Sequence, residues 1–200
     1  MIIVISGPSG AGKTTITRKL RKLEDIFYSV SVTTRPKREN EVEGFDYRFV
    51  DEETFKKWVD EGKFLEYAPV YGNYYGTLKK PVEEALQKGK IVLMDLDTKG
   101  SLRIKQLFKD DAVLLFLITD SVETLKERLI GRGTDPPEVR ERRLKNLREE
   151  LEDGKHFDYI IKNIYIDEVI SAIHSIVRAE KLKSIRNQDI INKLLLDLNT

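Results

Sequence analysis

Three stretches of the chain are apolar along their whole length instead of alternating: Ile2-Ile3-Val4-Ile5, Ile91-Val92-Leu93-Met94 and Val113-Leu114-Leu115-Phe116-Leu117-Ile118. A strand of that kind is buried on both faces, which is the position of a central strand in a parallel sheet. Asp158-Tyr159-Ile160-Ile161 reads as a fourth strand. Between these runs the apolar positions take a helical period: Ile16, Leu20 and Leu23; Ile104, Leu107 and Phe108; Val122, Leu125 and Leu129. The last of these opens with Asp120 and Glu123 at capping-box spacing. Strands that alternate with helices predict βαβ units, hence a parallel sheet with helices on both faces.

Residues 29–89 follow a different pattern. Asp46-Tyr47-Arg48-Phe49-Val50 alternates as a half-exposed strand does, and Phe55, Trp58 and Val59 mark a short amphipathic helix that stops at Gly62. Residues 64–67 and 73–78 read as short strands joined by a turn. Pro81 is expected to open a further helix, apolar at Val82, Ala85 and Leu86 and ended by Gly89. A small mixed lobe is thus inserted into the parallel-sheet core. A second insertion, around 132–143, is too charged to be core.

Composition narrows the classes of function. Lys plus Arg number 35 and Asp plus Glu 34, a net charge of +1 that argues against nucleic acid or a membrane surface as partner. There are no cysteines, so disulfides, zinc-thiolate sites and a thiol nucleophile are excluded. The apolar run from Ala112 to Ile118 is far too short to span a bilayer, and the stretch after Met1 has no basic flank of a signal peptide. The expected compartment is the cytoplasm.

The strongest chemical signal is Gly7-Pro8-Ser9-Gly10-Ala11-Gly12-Lys13-Thr14, which fits G-x-x-x-x-G-K-[ST]. It follows a predicted strand and opens a predicted helix, the context that makes this spacing a phosphate-binding loop. Glycines let backbone N–H groups close around an anion, and the positive end of the helix points at the same anion. In such a loop Lys13 reaches the β- and γ-phosphates of a nucleotide, and the Thr14 hydroxyl ligates Mg²⁺. Downstream, Arg35 and Arg38 stand three apart in Ser31-Val32-Thr33-Thr34-Arg35-Pro36-Lys37-Arg38, followed by Glu41, Gly44 and Asp46-Tyr47. Two guanidinium groups with a tyrosine hydroxyl nearby make a fork for a second phosphate, though a bare R-x-x-R is more often a solvated turn.

Taken together, SGPSGAGKT, SVTTRPKR, GFDYRFV, FLEYAPVYGNYYGT, LMDLDTKG and RLIGRGTD followed by RRL resemble the guanylate kinase family over residues 2 to about 176. The resemblance implies an α/β fold: a P-loop three-layer α/β/α parallel-sheet core, a small mixed α/β GMP-binding lobe and a short helical lid. It implies a kinase domain over 1–183, with core at 1–30, 86–125 and 146–183, lobe at about 31–85 and lid at about 126–145. It implies ATP and GMP as substrates, with Arg35, Arg38, Tyr47 and Tyr75 on the GMP phosphate and Ser31, Glu66 and Thr77 on the guanine. A carboxylate at Glu66 can accept from guanine N1–H and the 2-amino group, donors that adenine lacks. Such a mismatch is worth roughly 10⁴–10⁵-fold in discrimination.

Asp95 and Asp97 end an apolar strand, where parallel sheets place ligands, and their spacing puts both on one face. By resemblance Asp97 faces guanine and ribose and Asp95 lies near Mg²⁺ through water; capping of the next helix competes for one of the pair. The basic, glycine-flanked segment around Arg128, Arg132, Arg140, Arg142 and Arg143 suits a lid, with a helix expected to begin at Asp135 and Pro136. By resemblance Arg132 and Arg143 bracket the transferring phosphoryl group, and Asn163 lies beside the adenine. Closure of lobe and lid onto the core is expected. The residues 184–200 exceed the family core, and Ile190, Ile191, Leu194, Leu195 and Leu198 make an apolar face that packs on this chain or on a second copy, so the chain is a monomer or a homodimer. Departures from the family pattern include Asn40 at a usual glycine and Lys99 at a usual glutamine. Two rivals stand beside the kinase: a peptide-binding module of the same fold, which typically has a degraded phosphate loop, and a kinase for another phosphorylated substrate, which would not need Ser31, Glu66 and Thr77.

Overall fold

The structure, a computed structural model, describes the backbone of residues 1–70, 72–131 and 137–198, and the side chains of those residues outside 129–144. Residues 1–164 form one compact unit and 165–200 a second.

The first unit is built on a parallel sheet of five strands in the order β2-β7-β1-β8-β9. These are β1 (Ile2–Ser6), β2 (Ile26–Tyr28), β7 (Ile91–Asp95), β8 (Ala112–Ile118) and β9 (Tyr159–Lys162). The expected central strands β1, β7 and β8 lie side by side, and β1 is buried at every position. On one face, Ile2, Val4, Val92, Met94, Leu114 and Phe116 form a cluster with Val82 and Ala85 of α3 (Lys79–Gln87) and Ile104 of α4 (Thr98–Phe108). The alternate residues Ile3, Ile5, Leu93 and Leu115 are equally buried on the other face, where α1 (Lys13–Leu20) packs against β1 and β7. The apolar runs are therefore apolar because both of their faces are covered.

Several expectations needed adjustment. Helix α3 begins at Lys79, two residues ahead of Pro81; proline is tolerated there because a first-turn N–H has no intrahelical partner in any case. Helix α1 ends at Leu20, leaving Leu23 outside it and partly exposed. Helix α5 (Val122–Gly131) is capped by Ser121, whose Oγ accepts from the Thr124 N–H at 3.0 Å, one position later than the expected Asp120. The edge strand β2, only three residues long, carried no readable period. Helix α6 (Pro137–Gly154) starts just after the expected Asp135 and Pro136, which lie outside the described residues.

The inserted lobe carries its own sheet, in the order β4-β3-β6-β5. Its strands are β3 (Val32–Thr33), β4 (Arg48–Phe49), β5 (Phe64–Val70) and β6 (Asn73–Leu78), and β3 pairs parallel with β4 and antiparallel with β6. The alternating run at 46–50 contributes only the two residues of β4. Helix α2 (Glu52–Asp60), capped by Asp51, backs this sheet: the Phe55 ring stacks 4.6 Å from Phe64 and 5.4 Å from Tyr74.

The second unit comprises α7 (Ile166–Lys181), a short 3₁₀ turn and α8 (Gln188–Asp197). Within it, the buried Glu180 carboxylate pairs with Lys183 at 2.7 Å and with Arg186 at 3.7 Å. Ile190, Ile191, Leu194, Leu195 and Leu198 are each more than half exposed.

Candidate active site

The phosphate-binding loop joins β1 to α1. Gly7 has φ of 144°, and a Cβ there would lie 2.1 Å from the Leu117 carbonyl oxygen of β8, so the chain can pass only as glycine. Gly12 has φ of 86°, and a Cβ there would lie 2.3 Å from Asn163 Nδ2. That amide donates to the Ala11 carbonyl at 2.7 Å, so Asn163, at the end of β9, braces the loop from behind. No side chain caps α1, which leaves its first N–H groups facing the loop. Lys13 folds over the same turn and donates to the carbonyls of Gly7 and, at 3.3 Å, Pro8.

Facing the loop is one side of the lobe sheet. Register sets which side. Thr33 pairs with both Phe49 and Tyr75, and Tyr75 with Ala68, so these side chains share a face. Ser31, Tyr47 and Thr77, each two residues along, fall on that face too. Glu66 joins them through a β-bulge: Phe64 pairs with Leu78 but Glu66 pairs with Thr77, leaving Leu65 over. Without the bulge Glu66 would follow Phe64 onto the aromatic side. The cleft between the two surfaces is lined by Gly7, Ser9 and Lys13 from the loop, Ser31, Tyr47, Glu66 and Tyr75 from the lobe, and Asp95 and Asp97 from the end of β7. This is the carboxyl end of the strands, where open parallel sheets hold ligands.

Glu66 is 8% exposed and accepts from the Thr77 hydroxyl at 2.7 Å. Burial pushes its carboxyl up to about 7; the Thr77 hydrogen bond opposes this and the nearby Asp97 charge adds to it. Gly100 makes room for it: a Cβ there would stand 3.1 Å from Glu66 Oε2. Asp97 caps α4 by accepting from the Gly100 N–H at 2.6 Å, so the capping member of the acid pair is Asp97, while its carboxylate still lines the cleft.

The expected second phosphate site is assembled around a residue for which the sequence offered no role. Glu41 accepts from Arg35 Nη2 at 2.6 Å and from the Arg38 backbone N–H at 2.8 Å, and lies 3.9 Å from Arg38 Nη1. Burial works against the Glu41 charge, but the hydrogen bonds from Arg35 and the Arg38 N–H, together with the two guanidinium charges, outweigh it and hold the carboxyl below its usual range. Arg35 also donates to the Tyr75 hydroxyl at 3.3 Å and sits over the Tyr47 ring at 5.5 Å. Tyr47 and Tyr75 meet edge to face at 5.9 Å, and burial drives the Tyr47 hydroxyl well above the usual range. Glu41 thus gathers Arg35 and Arg38, and Arg35 in turn meets Tyr75 and Tyr47.

A profile of the guanylate kinase family matches residues 1–180. The guanylate kinase of Carboxydothermus hydrogenoformans is 43% identical over 184 residues, 92% of this chain and 90% of that protein. The Thermotoga maritima guanylate kinase is 41% identical over 198 residues, 98% of this chain and 95% of its own. The crystal structure of guanylate kinase from Anaplasma phagocytophilum superposes with a TM-score of 0.79 at 36% identity, covering 93% of this chain and 88% of that one. The chain belongs to the guanylate kinase family. Its fold is the P-loop nucleoside monophosphate kinase fold, and its activity is that of a guanylate kinase.

Not every residue expected from the family can be placed. Arg132 lies outside the described residues, and so does the side chain of Arg143, although α6 carries its backbone. Two further contacts escaped the sequence reading. Arg18 of α1 pairs with Asp46 at 2.8 Å and Arg21 donates to the Phe45 carbonyl at 2.6 Å, tying the phosphate-loop helix to the segment that carries Tyr47. Glu150 of α6 also lines the cleft. Glu41 could have been found: it continues the three-residue spacing of Arg35 and Arg38. The others depend on contacts between elements distant in the chain.

Proposed function

We propose that this chain moves the γ-phosphoryl group of ATP onto GMP, and onto dGMP, in line and without a covalent intermediate, giving ADP and the diphosphate. The observation that carries the reading is one cleft with two anion-holding surfaces. On one side stand the loop of Gly7, Pro8, Ser9, Gly10, Ala11 and Gly12 with Lys13; on the other stand Tyr47 and Tyr75, with Arg35 and Arg38 beside them. Such a reaction needs positioning and positive charge more than covalent chemistry. Lys13 would leave its carbonyl partners for the β- and γ-phosphates, and Arg35, Arg132 and Arg143 would stabilise charge on the transferred group.

Ser31, Glu66, Thr77 and Asp97 would read the base and ribose. Glu66 is already hydrogen-bonded and buried, so a base that cannot donate to it leaves a desolvated carboxylate unpaired. Thr14 and, through water, Asp95 would hold Mg²⁺, which neutralises phosphate charge when bound. One hydroxyl and one carboxylate, with no cluster of three metal-binding side chains among the described residues, suit an ion that keeps its waters and takes phosphate oxygens. Asn163 would border the adenine while bracing the loop. The setting we infer is the cytoplasm, with no nucleic-acid or membrane partner and a monomer or homodimer as the working form. No described helix is long and apolar enough to cross a membrane.

The test is ADP release measured with GMP, dGMP, AMP, CMP and UMP as acceptors. Turnover with GMP and dGMP alone is expected; equal turnover with AMP would overturn the assignment of Glu66 to the base.

A further inference from the structure

The lobe sheet has a second face, turned away from the cleft, and a cavity of about 430 Å³ opens at its edge. Phe55 fills the middle of that face by stacking on Phe64 and Tyr74. Helix α2 then ends at Asp60, so the aromatic layer runs out at Trp58, whose indole becomes a cavity wall. Around the indole stand Arg48 of β4, Lys63 ahead of β5, and Lys79 and Lys80 in the first turn of α3; Glu83 is the one acid on the wall. Three of these cations have a carboxylate partner in exposed pairs, Lys63 with Glu61, Lys79 with Glu83 and Lys80 with Glu84, which leaves Arg48 as the surplus charge.

We propose that this cavity is a regulatory nucleotide site, taking a nucleoside triphosphate with its base against the Trp58 indole and its phosphates among Arg48, Lys63, Lys79 and Lys80. The volume lies within the roughly 300–1,000 Å³ of small-molecule sites. An indole offers a base a stacking surface that is tolerant of base identity. The cations can turn to a ligand at little cost. Lys79 lies 3.7 Å from Glu83 and Lys80 3.9 Å from Glu84, both in exposed pairs. Such solvent-exposed pairs contribute little to stability and exchange readily. Arg48 is paired with no carboxylate among the described residues. The Lys63 ammonium lies over the indole, 5.3 Å from its centroid, and pairs with Glu61 at 2.5 Å, so a base stacking on the ring would displace it outward, toward the phosphates beyond the ribose.

The regulation acts on the bulge in β5, and this part rests on the reading of Glu66 as the guanine-recognising group. Lys63 and Leu78 both line the cavity, and Lys63 directly precedes Phe64, which pairs with Leu78 just before the bulge. The Lys79 N–H donates to the Lys63 carbonyl at 2.8 Å, closing the two strand ends against the cavity. A ligand that draws Lys63 and Lys79 together therefore bears on the residue pair that aims Glu66. Alternation of side chains places Arg48 and Phe49 on opposite faces of β4, Phe49 on the side of Thr33 and Tyr75, so the two sites share a sheet without sharing a surface.

Trp58 is the single tryptophan of the chain, so tryptophan emission reports this cavity. The full chain is first saturated with a bisubstrate analogue in which adenosine and guanosine are joined by phosphates, and GTP is then titrated. The expected result is a further saturable change in emission with a dissociation constant of about 1 mM or tighter. The change should vanish in an Arg48→Ala, Lys80→Ala double variant that keeps its circular dichroism and melting midpoint. In turnover assays, GTP should change the KM for GMP by about fivefold in the parent chain, beyond any change that survives in the double variant as competition at the cleft. The site is overturned if no second phase appears, if the double variant keeps it, or if inorganic tripolyphosphate binds as tightly as GTP. Binding without the variant-sensitive KM shift overturns the regulatory role. The emission arm requires no turnover of GMP, so a failed site and a failed assignment of Glu66 give different results.

Discussion

The two anion-holding surfaces of the cleft are made in opposite ways. The phosphate loop is one continuous stretch, Gly7 to Thr14, and presents backbone N–H groups, a helix end and one lysine. The facing surface is drawn from β3, β4, β5 and β6 and from the loops that flank them, and works with side chains. A backbone cradle depends on φ angles at a few glycines and tolerates change in most side chains near it. A side-chain cradle depends on strand register, on a bulge and on burial, so distant changes in packing reach it. On the proposed reading, the first surface would bind phosphate whatever the base, and the second would choose the base.

This contrast can be broken at either surface. The largest effect is expected from Lys13→Ala, which removes the one mobile cation of the loop. Single-donor losses at a developing charge cost about 10²–10³ in turnover. The kcat should fall by at least about that factor, while GMP binding measured calorimetrically stays within about threefold. Unchanged turnover would remove Lys13 from the phosphoryl-transfer step.

On the facing surface, Glu66→Gln should raise the KM for GMP and erode the preference over AMP by about 100-fold, part of the 10⁴–10⁵ open to a site that hydrogen-bonds its substrate. The same variant tests pH dependence. The Glu66 carboxyl is raised to about 7 in the free protein, whereas on the proposed reading it would have to be ionised to accept from guanine. The kcat/KM for GMP should therefore fall as pH drops below about 7, and less steeply in Glu66→Gln, where only the phosphate of GMP, with a second pKa of about 6, still titrates in this range. A raised carboxyl pKa also means that the folded chain binds the extra proton. The stability Glu66 contributes is thus full below its unfolded pKa and is lost as pH rises through about 7. Melting midpoints of parent and Glu66→Gln should diverge between pH 5 and 8, with the parent losing stability on the alkaline side. Parallel curves would show that burial does not shift this group.

The smallest effect is expected from Gly12→Ala, which alters the backbone cradle without touching a charge. Its φ of 86° is strained for alanine and the new Cβ meets Asn163 Nδ2. A cost of about 1–3 kcal/mol in stability is expected, with the KM for ATP raised and the KM for GMP unchanged. Equal losses at both substrates would mean that the two surfaces do not act separately.

The phosphate loop and the three central strands could be read directly because their determinants are local: a spacing of glycines, and apolar side chains wherever both faces of a strand are covered. The residue set of the facing surface was reached only through family resemblance, since each member alone reads as ordinary strand packing or a solvated turn. Even the resemblance gave no role to Glu41: its three-residue spacing from Arg38 hints at one, but the contacts by which it gathers Arg35 and Arg38 form only once the loop is folded. The three-residue β2 left no period to read, and the alternation at 46–50 pointed to a strand longer than the two residues of β4, because strands that short are held by their neighbours.

What the amino-acid order determined by itself is therefore the parallel core and the loop at its edge, where conformation follows from φ preferences and burial at neighbouring positions. What only the folded chain decided is the direction of Glu66. Spacing along the chain puts it on the same side as Phe64, and the extra residue at Leu65, admitted because Phe64 is held by Phe55 and Glu66 by Thr77, turns it into the cleft. Side-chain direction in a strand is set by pairing with another strand, and pairing partners far apart in sequence exist only after the sheet has formed.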